Sequence, residues 1–146
     1  MSKFRKLSDS MFASPQIGLD DVDRARSEGV TLIVNNRPDG EAPEEPQGAE
    51  IESAAKAAGI DYLAIPVTHA GFSLDQVERM NEAISQADGN VLAYCRSGTR
   101  STLLWAMAQA KLGMDPDTIA AAAAGAGYDI SPVRPTVDML ASQSRG

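Results

Sequence analysis

The stretch Val91-Leu92-Ala93-Tyr94-Cys95-Arg96-Ser97-Gly98-Thr99-Arg100-Ser101 joins a short apolar run to a polar, glycine-containing loop. Behind it, Ser101 to Leu112 is an apolar segment stopped by Gly113. The first run reads as a strand buried on both faces and the second as a helix, the repeating unit of a parallel α/β sheet. Open sheets of this kind bind ligands beyond the C-terminal ends of their strands, where Cys95 is delivered. The loop Cys95 to Arg100 can turn backbone N–H groups inward as an anion cradle, and the helix start adds positive potential. Arg100 can close the cradle with a bidentate fork for an oxyanion. The same field favours a thiolate and makes Cys95 a nucleophile for an anionic substrate. A cysteine at a strand end is more often an inert core residue. The flanking Arg-Ser-Gly-Thr-Arg-Ser is too polar for that environment.

The rest of the chain repeats the alternation. Gly18 to Gly29 reads as a helix opened by Asp20, Asp21 and Asp23, and Val30 to Val34 as a buried strand. Asn35 to Gly40 is loop, and Glu41 to Gln47, with its prolines and glutamates, reads as a mobile solvated surface segment. Gly48 to Ala58 is helix and Tyr62 to Ile65 strand, followed by the loop Thr68 to Gly71. Ser73-Leu74-Asp75-Gln76 matches the capping box and opens a helix to about Ala87, with Leu74, Val77, Met80 and Ile84 on one face. Helices are also expected at Asp115 to Ala124 and Pro132 to Ser142, and a further strand at Met11 to Gln16. Trp105 and Met107 read as core, and Ala120 to Ala124 as close helix packing. The expectation is one α/β domain over residues 1–146, with a central, mostly parallel sheet flanked by helices.

Composition narrows the function. The chain has 146 residues, is 43% hydrophobic and carries a net charge of −7. That size and apolar content suit one packed core, and the acidity gives no general attraction for nucleic acid or an anionic membrane. One cysteine excludes an intrachain disulfide, and one histidine beside it leaves too few soft ligands for a zinc site. No cofactor or metal is expected. No signal-peptide pattern or membrane-length apolar run is visible, so the expected compartment is the cytoplasm, where a lone thiol stays reduced.

The strand-Cys-loop-Arg-helix arrangement resembles both cysteine-dependent phosphatases and rhodanese-type sulfurtransferases. Over nearly the whole chain the sequence is similar to the phosphatase-like domain of the beta-lactamase-hydrolase-like family. The resemblance rests on Ser14-Pro15-Gln16-Ile17, Asn35-Asn36-Arg37-Pro38-Asp39-Gly40-Glu41, Ile65-Pro66-Val67 and Tyr94 to Ser101, in that order. It implies a fold similar to dual-specificity phosphatases and leaves the reaction open between phosphate hydrolysis and sulfur transfer.

Two departures from the phosphatase pattern favour sulfur transfer. Only four residues separate Cys95 from Arg100, where the phosphatases have five, and the loop Cys-Arg-Ser-Gly-Thr-Arg has the rhodanese length. The loop Pro66-Val67-Thr68-His69-Ala70-Gly71, where those phosphatases keep an acidic proton donor, holds no carboxylate, and Tyr94 replaces their usual histidine. Sulfur transfer needs no such acid, because its leaving groups are stable anions. The expected reaction is attack of the Cys95 thiolate on thiosulfate or a low-molecular-weight persulfide, with the persulfide held by backbone N–H groups and Arg100. A phosphatase acting through phosphocysteine on a phosphate ester is the alternative, and a non-catalytic anion-binding module the third reading. All three take a small anionic ligand, and nothing in the sequence singles out a protein partner.

Around this centre, Arg96, Ser97, Gly98 and Thr99 are expected to line the anion site. Ser101 is expected as an N-cap with a second hydrogen bond available to the thiolate. Arg37 either reaches the mouth of the site or pairs at the surface with Asp39 or Glu41. His69 is either a substitute acid or a solvated loop residue.

Overall fold

A computed structural model describes residues 3–38, 47–68 and 71–145. Its five strands are β1 (Arg5–Ser8), β2 (Met11–Ser14), β3 (Val30–Asn35), β4 (Asp61–Ala64) and β5 (Asn90–Tyr94), in the sheet order β1-β2-β5-β3-β4. β1 pairs antiparallel with β2, and every other pairing is parallel. The helices are α1 (Leu19–Ser27), α2 (Gly48–Ala57), α3 (Leu74–Gln86), α4 (Thr99–Lys111), α5 (Pro116–Gly125) and α6 (Arg134–Arg145), the last preceded by a 3-10 turn at Ser131–Val133. This is the expected α/β fold, a mostly parallel sheet flanked by helices.

The alternation of side chains along each central strand builds two cores. From β5, Val91 and Ala93 join α3, α4, α5 and α6 on one face, while Leu92 and Tyr94 join α1 and α2 on the other. Leu32 and Val34 of β3 take the first face and Ile33 the second. Both faces are covered, which is why these strands are almost purely apolar. In α4 every residue from Ser101 to Ala108 is buried, Trp105 and Met107 among them, so this helix runs through the middle of its layer.

The structure corrects several boundaries. β1 had no clear signal in the sequence: Arg5-Lys6-Leu7-Ser8 is short and charged, as befits an edge strand that must not invite further pairing. β2 stops at Ser14 because Pro15 follows. α4 begins at Thr99, two residues before the expected start, so Thr99 and Arg100 belong to its first turn. The capping box of α3 forms as read: Ser73 Oγ accepts from Gln76 N–H at 3.2 Å and Gln76 Oε1 accepts from Ser73 N–H at 2.8 Å. Leu74, however, is 56% exposed, while Val77 and Met80 are buried. Of the expected loop Glu41 to Gln47, only Gln47 lies among the described residues, as the N-cap of α2.

At the start of α1 the Asp21 carboxylate accepts the Gly18 N–H at 2.7 Å and pairs with Lys3 at 2.8 Å. Burial pushes this carboxyl up, but the hydrogen bonds from Lys3 and Gly18, with the charges of Lys3 and Arg24, hold it below its ordinary 3.8. A depressed carboxylate stabilises the fold above its unfolded pKa and loses that contribution as acid protonates it. Asp21→Ala is therefore expected to cost about 1–2 kcal/mol at neutral pH. In denaturant melts, the gap to the parent should close as pH falls through and below 3.8.

Candidate active site

Cys95 follows directly on β5 and is held by backbone bonds from both sides. Its N–H donates to Ser14 O at 3.3 Å, and next to it Gln16 N–H donates to Arg96 O at 3.2 Å, so the segment after β2 runs alongside the loop. On the other side Asn36 N–H donates to Tyr94 O at 2.9 Å. The residue is 0% exposed yet belongs to neither apolar core. The sulfur has a polar partner instead, because Gly98 N–H donates to Sγ at 3.1 Å. The usable thiol read from the sequence is thus buried in this arrangement, and an anion reaches Sγ only when neighbouring groups move aside.

Gly98 is the N-cap of α4 with φ +92°, a left-handed conformation that glycine adopts without strain. A Cβ on Gly98 would overlap the Tyr128 hydroxyl oxygen and lie 3.2 Å from the Ser14 carbonyl carbon. Close approach and backbone conformation therefore both require glycine. Ser97 is exposed; its Oγ donates to Thr99 Oγ1 at 2.9 Å and accepts the Thr99 N–H at 3.3 Å. Arg96 is exposed. The N–H groups in the first turn of α4 have no acceptor within the helix and sit at the positive end of its dipole, which suits an anion.

Arg100, half-buried in that first turn, donates from Nη1 to Val67 O at 2.8 Å. It thereby ties α4 to the segment after β4 and commits at least one of its five N–H donors to the protein. Ser101 lies inside the helix rather than at the cap, because α4 starts earlier than the apolar pattern suggests. Its hydroxyl donates to Asn36 Oδ1 at 2.8 Å, so its single proton is not directed at the thiolate. Arg37 is buried; its Nη1 donates to Gln16 Oε1 at 2.9 Å, and it lines a cleft of about 280 Å³ with Asn35, Tyr62 and Pro66 that Cys95 does not line. Its link to the loop runs through Gln16 and Arg96 O. His69, Asp39 and Glu41 lie outside the described residues.

Two residues important to this geometry were not among the site residues expected from the sequence. Asn36, fully buried, reads as a loop polar residue. Tyr128 sits over the loop and donates its hydroxyl to Ser97 O at 3.0 Å. Gly127 and Tyr128, just past an alanine-rich helix, do carry a helix-stop pattern that would have placed the ring at the end of α5. Burial pushes the Tyr128 phenol above its ordinary 10.0; Arg5 opposes the shift and the nearby Cys95 adds to it.

Residues 3–112 match the family described as beta-lactamase hydrolase-like protein, phosphatase-like domain. The chain belongs to that family. It is 30% identical over 129 residues, 88% of its length, to the beta-lactamase hydrolase-like protein of Xylella fastidiosa, and 31% identical over 105 residues, 72% of its length, to that of Agrobacterium fabrum. It spans only 30% and 24% of those two relatives. A candidate phosphatase from Neisseria meningitidis superposes with a TM-score of 0.84 at 34% identity, covering 96% of this chain and 99% of that one. At 18% identity, where the likeness speaks for the fold alone, TpbA of P. aeruginosa gives a TM-score of 0.68 over 99% of this chain and 91% of that one, in a complex with pTyr. The family match and the Neisseria neighbour are phosphatase-like, and the preference for sulfur transfer drawn from loop length has no support among these matches. Among the described residues, no group of three or more His, Cys, Asp or Glu side chains is placed to hold a metal ion, and no helix is long and apolar enough to cross a membrane.

Two substitutions test this geometry. Gly98→Ala should destabilise the protein by about 1–3 kcal/mol through strain and the clash with Tyr128. Ser101→Ala strips the donor from buried Asn36 Oδ1 and should cost about 1–3 kcal/mol. Thermal melts of both variants check these values, and a neutral result for either would contradict the packing described.

Proposed function

We propose that this phosphatase-like chain is a cysteine-dependent phosphatase in which Cys95 forms a phosphocysteine intermediate. The observation that carries the reading is the Gly98 N–H directed at Sγ from 3.1 Å, at the head of a buried helix whose first turn also holds Arg100. A donor aimed at the sulfur stabilises the anion that the chemistry needs. The phosphate would bind over the loop residues Arg96, Ser97, Gly98, Thr99 and Ser101, with Arg100 as its charged clamp and Arg37 acting from the rim through Gln16. The thiolate forms the S–P bond as the P–O bond to the leaving group breaks. Water then attacks phosphorus, releasing phosphate and returning the thiolate. A reactive thiol needs a reducing compartment, so we place the enzyme in the cytoplasm.

Substrate class follows from the absent acid. The segment Pro66 to Gly71 has no carboxylate to protonate a departing oxygen, and His69 is its one titratable side chain. Loss of a general acid slows expulsion of a poor leaving group by about 10²–10⁴-fold. Aryl esters, whose phenolates leave more readily, are therefore the favoured substrates. The pTyr complex of TpbA belongs to the same chemical class.

A second reading keeps one specific observation: with only four residues between Cys95 and Arg100, the loop has the rhodanese length. In that case Sγ would take a sulfane sulfur from thiosulfate and pass it to a thiol. One pair of experiments separates the readings. Steady hydrolysis of p-nitrophenyl phosphate should fall to background in Cys95→Ser and by about 10²–10³-fold in kcat/KM in Arg100→Lys. Across a series of aryl and alkyl phosphates, the rate should drop steeply as the leaving group becomes more basic. No hydrolysis, together with a reductant-labile gain of one sulfur on Cys95 after thiosulfate treatment, would replace the phosphatase by the sulfurtransferase. Tight sulfate binding without either activity would leave only an anion-binding module.

A further inference from the structure

Ser97 O and Gly98 N belong to the same peptide group, and its two ends are engaged at once. Its carbonyl accepts the Tyr128 hydroxyl at 3.0 Å, and its N–H donates to Cys95 Sγ at 3.1 Å. We propose that Tyr128 is a positioning residue for the nucleophile, acting through the Ser97–Gly98 peptide to hold and polarise the N–H that stabilises the Cys95 thiolate.

Two effects follow from that geometry. A peptide group that accepts a hydrogen bond at its carbonyl becomes a stronger donor at its N–H, because bonds in a chain polarise one another. The same bond also fixes the plane of the peptide. Rotation of the Ser97–Gly98 plane would turn the N–H away from the sulfur and take the carbonyl away from Tyr128. Gly98, at φ +92°, has no side chain to prevent such a rotation, so the restraint has to come from outside the loop.

Tyr128 is well placed to supply it. α5 ends with Gly127 at φ +91°, Gly127 N–H donating to Ala124 O at 3.0 Å and Tyr128 N–H to Ala123 O at 2.9 Å. This is the Schellman arrangement, which fixes the direction of the residue that follows the glycine. The ring is held again from β1, where the Arg5 guanidinium lies 5.9 Å from its centroid and donates to Ala126 O at 3.3 Å. Burial keeps the phenol protonated above its ordinary range, so it remains a donor over the pH interval in which a thiol ionises. The residue lies beyond positions 3–112, which carry the family match.

The inference rests on Cys95 being the nucleophile, but its readout is the thiolate itself and not turnover, so it can fail or hold independently of the phosphatase reading. Because the chain has one cysteine, thiolate absorbance at 240 nm, with Cys95→Ser as blank, reports this sulfur alone. In Tyr128→Phe the absorbance titration should move up by about half a pH unit, a roughly threefold fall in thiolate on its acid side. 3-Fluorotyrosine placed at position 128 keeps the shape and strengthens the donor, and below the pH at which its own phenol ionises it should raise the thiolate fraction, read against a Cys95→Ser blank carrying the same residue. A purely structural role would lower the melting temperature of Tyr128→Phe without moving the titration, and would overturn the proposal. If Tyr128→Phe does not fold, the fluorinated protein decides: a raised thiolate fraction below the ionisation of its phenol supports the relay, and an unchanged one refutes it.

Discussion

Asn36 holds together the pieces that surround the sulfur. It is fully buried at the end of β3, and each of its polar groups is used. Its N–H reaches Tyr94 O, its side-chain amide donates to Ile65 O at 2.9 Å, its carbonyl accepts Val67 N–H at 3.0 Å, and its Oδ1 accepts the Ser101 hydroxyl. One residue thus joins the end of β5, the segment after β4 and the first turn of α4, which converge on Cys95. In a buried setting each of these bonds is strong because the alternative is an unsatisfied polar atom, so the three segments have little freedom to move independently. The positions of Cys95 and of Arg100 both follow from this junction.

The short loop fits that frame. With four residues between Cys95 and Arg100, the chain turns into α4 at Gly98, and the N–H used for the turn is the one that meets the sulfur. Here cap and thiolate donor are one group, which explains why neither a side chain nor a different backbone conformation fits at Gly98. Tyr128 then occupies the space that a Cβ would fill.

Much of this was legible in the sequence. Apolar runs such as Val30 to Val34 and Val91 to Tyr94 have the pattern of strands covered on both faces, their alternation with helices points to a parallel sheet, and the strand-Cys-loop-Arg-helix order located the candidate nucleophile. What the sequence hid depends on contacts between distant segments. The start of α4 was misplaced because Thr99 and Arg100 are polar, whereas their helical state is set by the glycine cap. Ser101 looked like a cap because its partner, Asn36, is 65 positions away. β1 carries two basic residues in four and pairs only at an edge, and Tyr128 comes to the loop from 31 positions away. Local patterns carry no information on such pairings.

The contact between Arg100 and Val67 bears on how the buried thiol becomes reactive. Val67 O is presented to the guanidinium because Val67 N–H is anchored to Asn36 O, so one partner of Arg100 is a fixed, neutral carbonyl. An oxyanion is a better acceptor for a guanidinium than a neutral carbonyl, by roughly a factor of two in strength, and it can engage two N–H groups at once. In the proposed reaction an arriving anion would compete with that carbonyl for Arg100, and the first-turn N–H groups of α4 would offer it further donors. In the structure Arg100 is docked on the segment after β4 and Cys95 has no exposed surface. In the proposed phosphatase, the charge that the substrate brings would draw the arginine toward the loop and complete the cradle over Cys95.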